Sequence, residues 1–190
     1  MNIVLSNITK SYGEKVVLDN LSLTFNAGET TLLMGESGIG KTTLFHVLLG
    51  IEKNDSGEII GLPENISVAF QNDALCPQLS VIDNIRLALP KVKKEEIVSA
   101  LTLVGLGDDI HTQAKTLSGG MGRRASVVRA MLSDAPLVLL DEPFRGLDED
   151  SKKKTAAFIV AKKAGRTLIV ITHDKEDKTL LEADAILTLE

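Results

Sequence analysis

The stretch GESGIGKTT, Gly35 to Thr43, lies between an apolar β-rich run, ETTLLM, and a helical pattern, KTTLFHVLLG. It matches the spacing G-x-x-x-x-G-K-[S/T] in the strand-to-helix context that this motif requires. Glycines let such a loop curl so that its N–H groups point inward, and the helix N-terminus adds positive potential. The stretch therefore predicts a phosphate-binding loop. We expect Lys41 to reach the terminal phosphates and Thr42 to offer its hydroxyl to Mg²⁺. A glycine-rich turn that only matches the pattern leaves the flanking strand and helix unexplained.

The rest of the chain alternates apolar runs with helical patterns. Continuous apolar runs such as PLVLLDE and TLIVITH are typical of parallel strands covered on both faces. The first 34 residues read instead as strands and turns, because NIVLSNI and LSLTF alternate. We predict an α/β fold with a phosphate-loop NTPase core, a mostly parallel sheet and an N-terminal antiparallel β part. The length suits one domain, 1–190, with an inserted helical subdomain at about 72–134.

Two carboxylates, Asp141 and Glu142, follow the apolar run LVLL. Carboxylates at the end of a buried strand are costly unless they meet a cation or solvent. Asp141 suits a Mg²⁺ ligand. Glu142, on the opposite side of the strand, suits a general base for an attacking water. A solvated strand end before a proline turn is the alternative, and the phosphate loop upstream argues against it.

Two further strand patterns end in single polar residues, ISVAFQ at Gln71 and LIVITH at His173. In open α/β sheets, ligands bind at the carboxyl ends of the strands. Gln71 is therefore a candidate contact for Mg²⁺ or for the water, and His173 for a γ-phosphate. We interpret His46 and His111 as structural or exposed.

The stretch TLSGGMGRR places three glycines at the start of a helical pattern. A glycine in a helix costs about 1 kcal/mol relative to alanine. Ser118 is a good N-cap, and Gly119 and Gly120 remove side chains from the first turn. The open N–H groups and the bare helix end predict a second anion site. A flexible loop before a helix leaves unexplained why the glycine pair directly follows a capping serine.

Composition narrows the function further. The net charge of −5 gives no support for a nucleic-acid binder, and the single cysteine, Cys76, excludes an internal disulfide. No apolar run approaches the ~20 residues of a transmembrane helix, and the N-terminus is too short and too alternating for a signal peptide. We expect a cytoplasmic protein. If it acts at a membrane, we expect it to do so through a partner.

In chain order these features resemble the ATP-binding cassette (ABC) ATPases, the nucleotide-binding subunits of ABC transporters. The shared features are Tyr12, GESGIGKT, Gln71, LSGGM, LVLLDE, GLD at Gly146–Asp148, and His173. The phosphate loop alone occurs in many folds, whereas LSGG between it and LLDE is highly specific. The resemblance implies ATP hydrolysis with Mg²⁺ by a head-to-tail dimer that sandwiches two ATP molecules.

The resemblance also implies a role for each matching residue. Tyr12 would stack on adenine, with Val17 beside it. Ser118 and Gly120, with Gly119 between them, would contact the γ-phosphate bound by the other protomer, and Asp148 would cross the dimer interface. Gln71 would link the site to the helical subdomain. The metal ligands would be Thr42, Gln71 and Asp141, and the reaction would use Lys41, Gln71, Glu142 and His173. The loop residues that bind phosphate and Mg²⁺ would be Gly35, Ser37, Gly38, Ile39, Gly40, Lys41, Thr42 and Thr43.

Three positions depart from the family pattern. Met121 replaces the commoner Gln and is followed by Gly122, and Arg145 stands where small residues are usual. None of the three changes removes a catalytic group. Gly122 is expected to soften the LSGG helix, which affects the strength of coupling and not the chemistry.

The resulting hypothesis is an ATPase subunit, peripheral on the inner face of the cell membrane, that powers separate permease subunits. LSGGM with DEPF is similar to importers of nitrate, sulfonate, taurine or thiamine precursors, and an exporter also agrees with these motifs. The partner cassette is either an identical copy or a different chain. A soluble ABC ATPase acting on DNA or ribosomes is the main alternative. A phosphate-loop kinase or GTPase leaves LSGGM unexplained.

Overall fold

Two sheets organise residues 1–189, which are the residues that the computed structural model describes. The strands are β1 (Ile3–Tyr12), β2 (Lys15–Phe25), β3 (Thr30–Met34), β4 (Ser56–Ile60), β5 (Ile66–Ala69), β6 (Leu137–Asp141), β7 (Thr167–Ile171) and β8 (Ala185–Thr188). The α-helices are α1 (Lys41–Leu48), α2 (Val81–Ala88), α3 (Lys94–Leu103), α4 (Gly119–Met131), α5 (Glu149–Lys163) and α6 (Asp177–Leu180).

The larger sheet has five strands in the order β5-β6-β7-β3-β8, and every pair in it is parallel. Strands β3, β6 and β7 are buried throughout, as their continuous apolar runs predict. Successive side chains point to opposite faces, so Leu139 joins one hydrophobic core and Leu140 the other. The predicted parallel α/β core is confirmed.

The smaller sheet is antiparallel, with the order β2-β1-β4. The predicted antiparallel N-terminal part is confirmed for β1 and β2, whereas β4 was missed in the sequence. Strand β4 is a five-residue edge strand that is mostly exposed, so it has no apolar alternation to detect. It pairs with β1 through Val4↔Ile60 and neighbouring residues.

Different elements cover the two faces of the parallel sheet. One core joins α1 and the antiparallel sheet to the parallel strands through residues such as Phe25, Phe45 and Leu48. The other core packs the helices that lie between β5 and β6, together with α5, through Ile85, Val128 and Ile159 among others. The glycine-rich loop follows β3 at its carboxyl end and leads into α1.

Helix ends follow the sequence signals closely. The Ser118 hydroxyl caps α4 by accepting from Met121 N at 3.3 Å, as predicted. Helix α6 has only four residues, and Glu182 at φ +50° prevents the helix from continuing toward β8. In the part of the chain that the structure describes, no helix is both long and apolar enough to cross a bilayer.

Candidate functional site

The loop between β3 and α1 closes around the amino group of Lys41. Lys41 Nζ donates to Gly35 O at 2.8 Å and to Glu36 O at 2.7 Å. Gly40 has φ +110°, and a Cβ there would lie 2.8 Å from Leu18 Cδ2 and 2.9 Å from Val17 O. Glycine is therefore required at this position for both conformation and space.

A cleft of about 300 Å³ opens above this loop. It brings together most of the residues predicted to bind nucleotide or to act on it, from the loop and from the ends of β5 and β6. The lining residues are Val17, Ser37, Gly38, Gly40, Lys41, Thr42, Thr43, Gln71, Asp141, Glu142 and Ile171. Among residues 1–189, the predicted phosphate-loop residues Gly35 and Ile39 lie outside this lining. A Cβ at Gly35 would be 3.1 Å from Ile39 Cγ2, and the Ile39 side chain packs against the core that contains Phe45.

Asp141 ends β6 inside the cleft and is only 3% exposed. The Thr42 hydroxyl donates to Asp141 Oδ2 at 3.4 Å. Burial raises the pKa of Asp141, and repulsion by Glu142 raises it further. A buried carboxylate beside a second carboxylate gains from a cation, and these hard oxygen donors suit Mg²⁺, which takes few protein ligands beside phosphate oxygens. Thr42 and Asp141 thus fit the role of Mg²⁺ ligands that the sequence predicts for them.

Glu142 pairs with His173 across the carboxyl ends of β6 and β7. His173 Nδ1 lies 3.0 Å from each carboxylate oxygen of Glu142. Glu142 has φ +51°, a left-handed conformation that non-glycine residues adopt rarely and often at functional sites. His173 lines a neighbouring cleft with Glu142. The structure thus places His173 on the carboxylate, a contact that the sequence did not indicate.

The contact with Glu142 makes His173 a measurable reporter of the site. The hydrogen bond and the charge of the carboxylate raise the pKa of His173 above 6.5. Because the pKa is raised on folding, the stability from this pair is fully present below the unfolded pKa and is lost as pH rises through the folded pKa.

We expect an NMR titration to give His173 a pKa above 6.5 in the wild type and a lower pKa in Glu142→Gln, which removes the negative charge. An unchanged His173 titration in the variant would contradict the pairing.

The second predicted anion site lies in a different cleft of about 480 Å³. Its lining includes Ser118, Gly119, Gly120 and Asp148, which the sequence assigned to contacts with the other protomer. Within residues 1–189, this lining shares no residue with the cleft above the phosphate loop. The two predicted halves of the phosphate site therefore lie in separate clefts of one chain.

The three glycines of α4 have different surroundings. A methyl group added at Gly119 would meet no heavy atom of residues 1–189 within 4 Å beyond its chain neighbours and its own helix, so this turn is open. At Gly120 it would lie 3.2 Å from Gly146 O, close to the loop that carries Asp148. At Gly122 it would lie 2.7 Å from Asp73 Oδ2. The first two glycines fit the predicted bare helix end, whereas the third makes room for a side chain.

Other predicted residues have partners that sequence reasoning missed. The Tyr12 hydroxyl donates to Glu52, whose other oxygen lies 3.1 Å from His46 Nδ1, and the Tyr12 ring remains 46% exposed. Asp148 caps α5 by accepting from Ser151 N at 2.9 Å. The D-x-x-S spacing before a helix could have revealed the cap, whereas no sequence signal pointed to Glu52.

A phosphate loop after a parallel strand, with an acidic pair ending a nearby strand, defines a phosphate-loop NTPase.

The sequence profile of one family, described as ABC transporter, matches residues 18–145. The aliphatic sulfonates import ATP-binding protein SsuB 1 of Streptomyces avermitilis is 38% identical over 98% of this chain and 72% of its own length. The spermidine/putrescine import ATP-binding protein PotA of Pasteurella multocida is 37% identical over 98% of this chain and 55% of its own.

Solved structures agree with these relatives. A dimeric bacterial ABC transporter cassette superposes with a TM-score of 0.86 at 26% identity, covering 98% of this chain and 94% of that one. The same cassette, bound to ADP and Pi after hydrolysis, gives a TM-score of 0.87 at 25% identity over 99% and 94%. The chain belongs to the ABC transporter family and is an ATP-binding, ATP-hydrolysing subunit of that family. The family resemblance of the sequence motifs is thereby confirmed.

Proposed function

We propose that this chain drives a membrane importer as one of two identical cassettes that close around two ATP molecules. The main support for a dimer is that the two proposed half-sites lie in separate clefts of one chain. A two-fold axis joins the phosphate loop of each copy to the Ser118 cleft of the other, which completes both sites at once. The relatives named as import proteins support the direction of transport.

We assign the chemistry of each site to the cleft above the phosphate loop. Lys41 and the loop N–H groups hold the β- and γ-phosphates, and Gln71 orients the attacking water. Glu142 takes a proton from that water as its oxygen bonds to the γ-phosphorus, and the bond to the β–γ bridging oxygen breaks to release ADP and phosphate. His173, at 3.0 Å, fixes the direction of the Glu142 carboxylate. Mg²⁺ held by Thr42 and Asp141, with Gln71 as a further oxygen donor, would neutralise the charge on the phosphates.

The adenine is proposed to stack on Tyr12 next to Val17. Tyr12 is exposed at the end of β1, and its hydroxyl donates a hydrogen bond to Glu52. Val17 reaches the cleft from β2. An exposed aromatic ring whose orientation is fixed loses little freedom when a base stacks on it.

We further propose that residues from about 72 to 134 form a helical subdomain. The segment around Gln71 to Ile85, at its start, docks on permease subunits at the cytoplasmic face of the membrane. Asn84 is 3% exposed, and its side-chain NH₂ donates to Cys76 O, Leu79 O and Ser80 O, so it holds this loop in one shape. Cys76 stays exposed on the loop. An ordered loop with exposed side chains next to Gln71 suits a docking site that signals to the nucleotide.

A cysteine-reactive cross-linker should join Cys76 to a co-expressed permease, because the loop would face it. The matched control is Ile60→Cys in a Cys76→Ser background, since Ile60 is exposed on the edge strand of the other sheet. Mass analysis of the adducts reads out the result. Labelling from position 60 with none from Cys76 would assign docking to a different face.

A further inference from the structure

Arg123 connects the start of α4 to the ends of two strands of the parallel sheet. It is 6% exposed, and its guanidinium donates to Phe70 O at 2.7 Å, to Gln71 O and to Asp141 O at 3.4 Å. Phe70 and Gln71 directly follow β5, and Asp141 ends β6. One side chain from α4 therefore holds the backbone of two residues that line the ATP cleft.

Asp73 supplies the charge that orients Arg123. Asp73 Oδ1 lies 3.3 Å from Arg123 Nε, and the two side chains are 23% and 7% exposed. Arg129, one turn or more further along α4, donates to Asp73 O at 3.1 Å and to Ala74 O at 2.7 Å. The segment 70–74 is thus held along α4 by two arginines and one partly buried ion pair.

Gly122 gives this ion pair its room. A Cβ at position 122 would lie 2.7 Å from Asp73 Oδ2, so any side chain there would have to displace the Asp73 carboxylate. Gly122 lies within α4 and does not have a positive φ, so its backbone conformation does not require glycine. The space that Asp73 occupies therefore explains why position 122, one of the positions that depart from the family pattern, is a glycine.

We propose that Arg123, oriented by Asp73 and accommodated by Gly122, is a positioning residue that makes the start of α4 and Gln71 move as one unit. The inference rests on the proposed function, because Ser118 on α4 then meets the ATP held by the other copy. Gln71 meets the ATP of its own chain. Closure on one nucleotide is thereby transmitted to the backbone at the other, and the arginine sets turnover without touching ATP.

The first test compares Arg123→Met and Arg123→Lys with a matched control, Arg166→Met. Arg166 is also partly buried and donates to carbonyls of Met131, Ser133, Lys162 and Lys163, at the other end of the sheet. We expect Arg123→Met to keep the dissociation constant of the monomer for ATP and to lower kcat by about 10- to 100-fold, as displaced catalytic groups do. Arg123→Lys should recover part of kcat, and Arg166→Met should lower Tm while keeping kcat.

A second test asks whether Gly122 and Asp73 act through each other. Gly122→Ala should lower kcat although alanine favours the helix, since the methyl group displaces Asp73. In an Asp73→Ala background the same change should add almost nothing, because the displaced oxygen is gone. Equal losses in both backgrounds would support softening of the helix and overturn the role given to Gly122.

The outcomes separate this inference from the function beneath it. An active wild type with unchanged kcat in Arg123→Met overturns the positioning role alone. Loss of kcat in Arg166→Met as large as that in Arg123→Met overturns it as well, by showing a general effect of lost stability. An inactive wild type overturns the proposed function instead. If Arg123→Met does not fold, kcat of Arg123→Lys and Asp73→Ala decides, with wild-type values overturning the role.

Discussion

Glu142→Gln is expected to bind ATP with wild-type affinity and to hydrolyse it about 10²–10⁴-fold more slowly. The amide keeps the size of the side chain and still accepts a hydrogen bond from His173, but it has no basicity for the proton of the attacking water. The phosphate-binding loop is untouched, so the binding step should be unaffected. Conversion of bound ATP to ADP under single-turnover conditions, followed after an acid quench, measures the chemical step directly.

The matched control for this substitution is Glu149→Gln, which makes the same change in the first turn of α5. It should hydrolyse ATP at the wild-type rate. The Glu142 variant should also accumulate as an ATP-bound dimer in size-exclusion chromatography, because unhydrolysed ATP keeps the two half-sites together. Wild-type turnover in Glu142→Gln would exclude Glu142 as the base, and a stable monomer at saturating ATP would argue against the sandwich.

The features predicted best from the sequence are those encoded by a short stretch. The glycine-rich loop, the buried strand before Asp141 and the cap at Ser118 each depend on neighbouring residues whose physics is local. The convergence of the glycine-rich loop and Asp141 on one edge of the sheet followed from a general rule, that parallel strands present their carboxyl ends together. The fold class was therefore predictable from spacing and periodicity.

The features that were missed depend on residues far apart in the chain. Glu142 and His173 are 31 positions apart, and Tyr12 and Glu52 are 40 apart, so no local pattern joins them. Gly122 illustrates the point most clearly, since its reason is Asp73, 49 positions earlier. In sequence it is one more glycine at the start of a helix, and only the packing of α4 against the segment after β5 reveals the clash that it avoids.

Mixing two inactive variants is expected to restore ATPase activity when the variants damage different half-sites. Ser118→Arg damages the cleft offered to the other copy, and Lys41→Ala damages the cleft above the phosphate loop. In a mixed dimer, both lesions fall on one site and the other site is intact. Equal amounts give about half mixed dimers by random exchange, so activity should return to at most about a quarter of wild type.

The structure also supplies a pair of variants that should not complement each other. Lys41 and Glu142 line the same cleft of one chain, so a mixed dimer of Lys41→Ala and Glu142→Gln has one lesion at each site. This mixture should stay as inactive as its parents when the subunits are mixed and allowed to exchange before ATP is added. Recovery in the first mixture and none in the second would show that the Ser118 contacts act in trans. Equal behaviour of the two mixtures, with exchange verified by labelled subunits, would place the whole site within one chain and leave the open turn at Gly119 without a ligand.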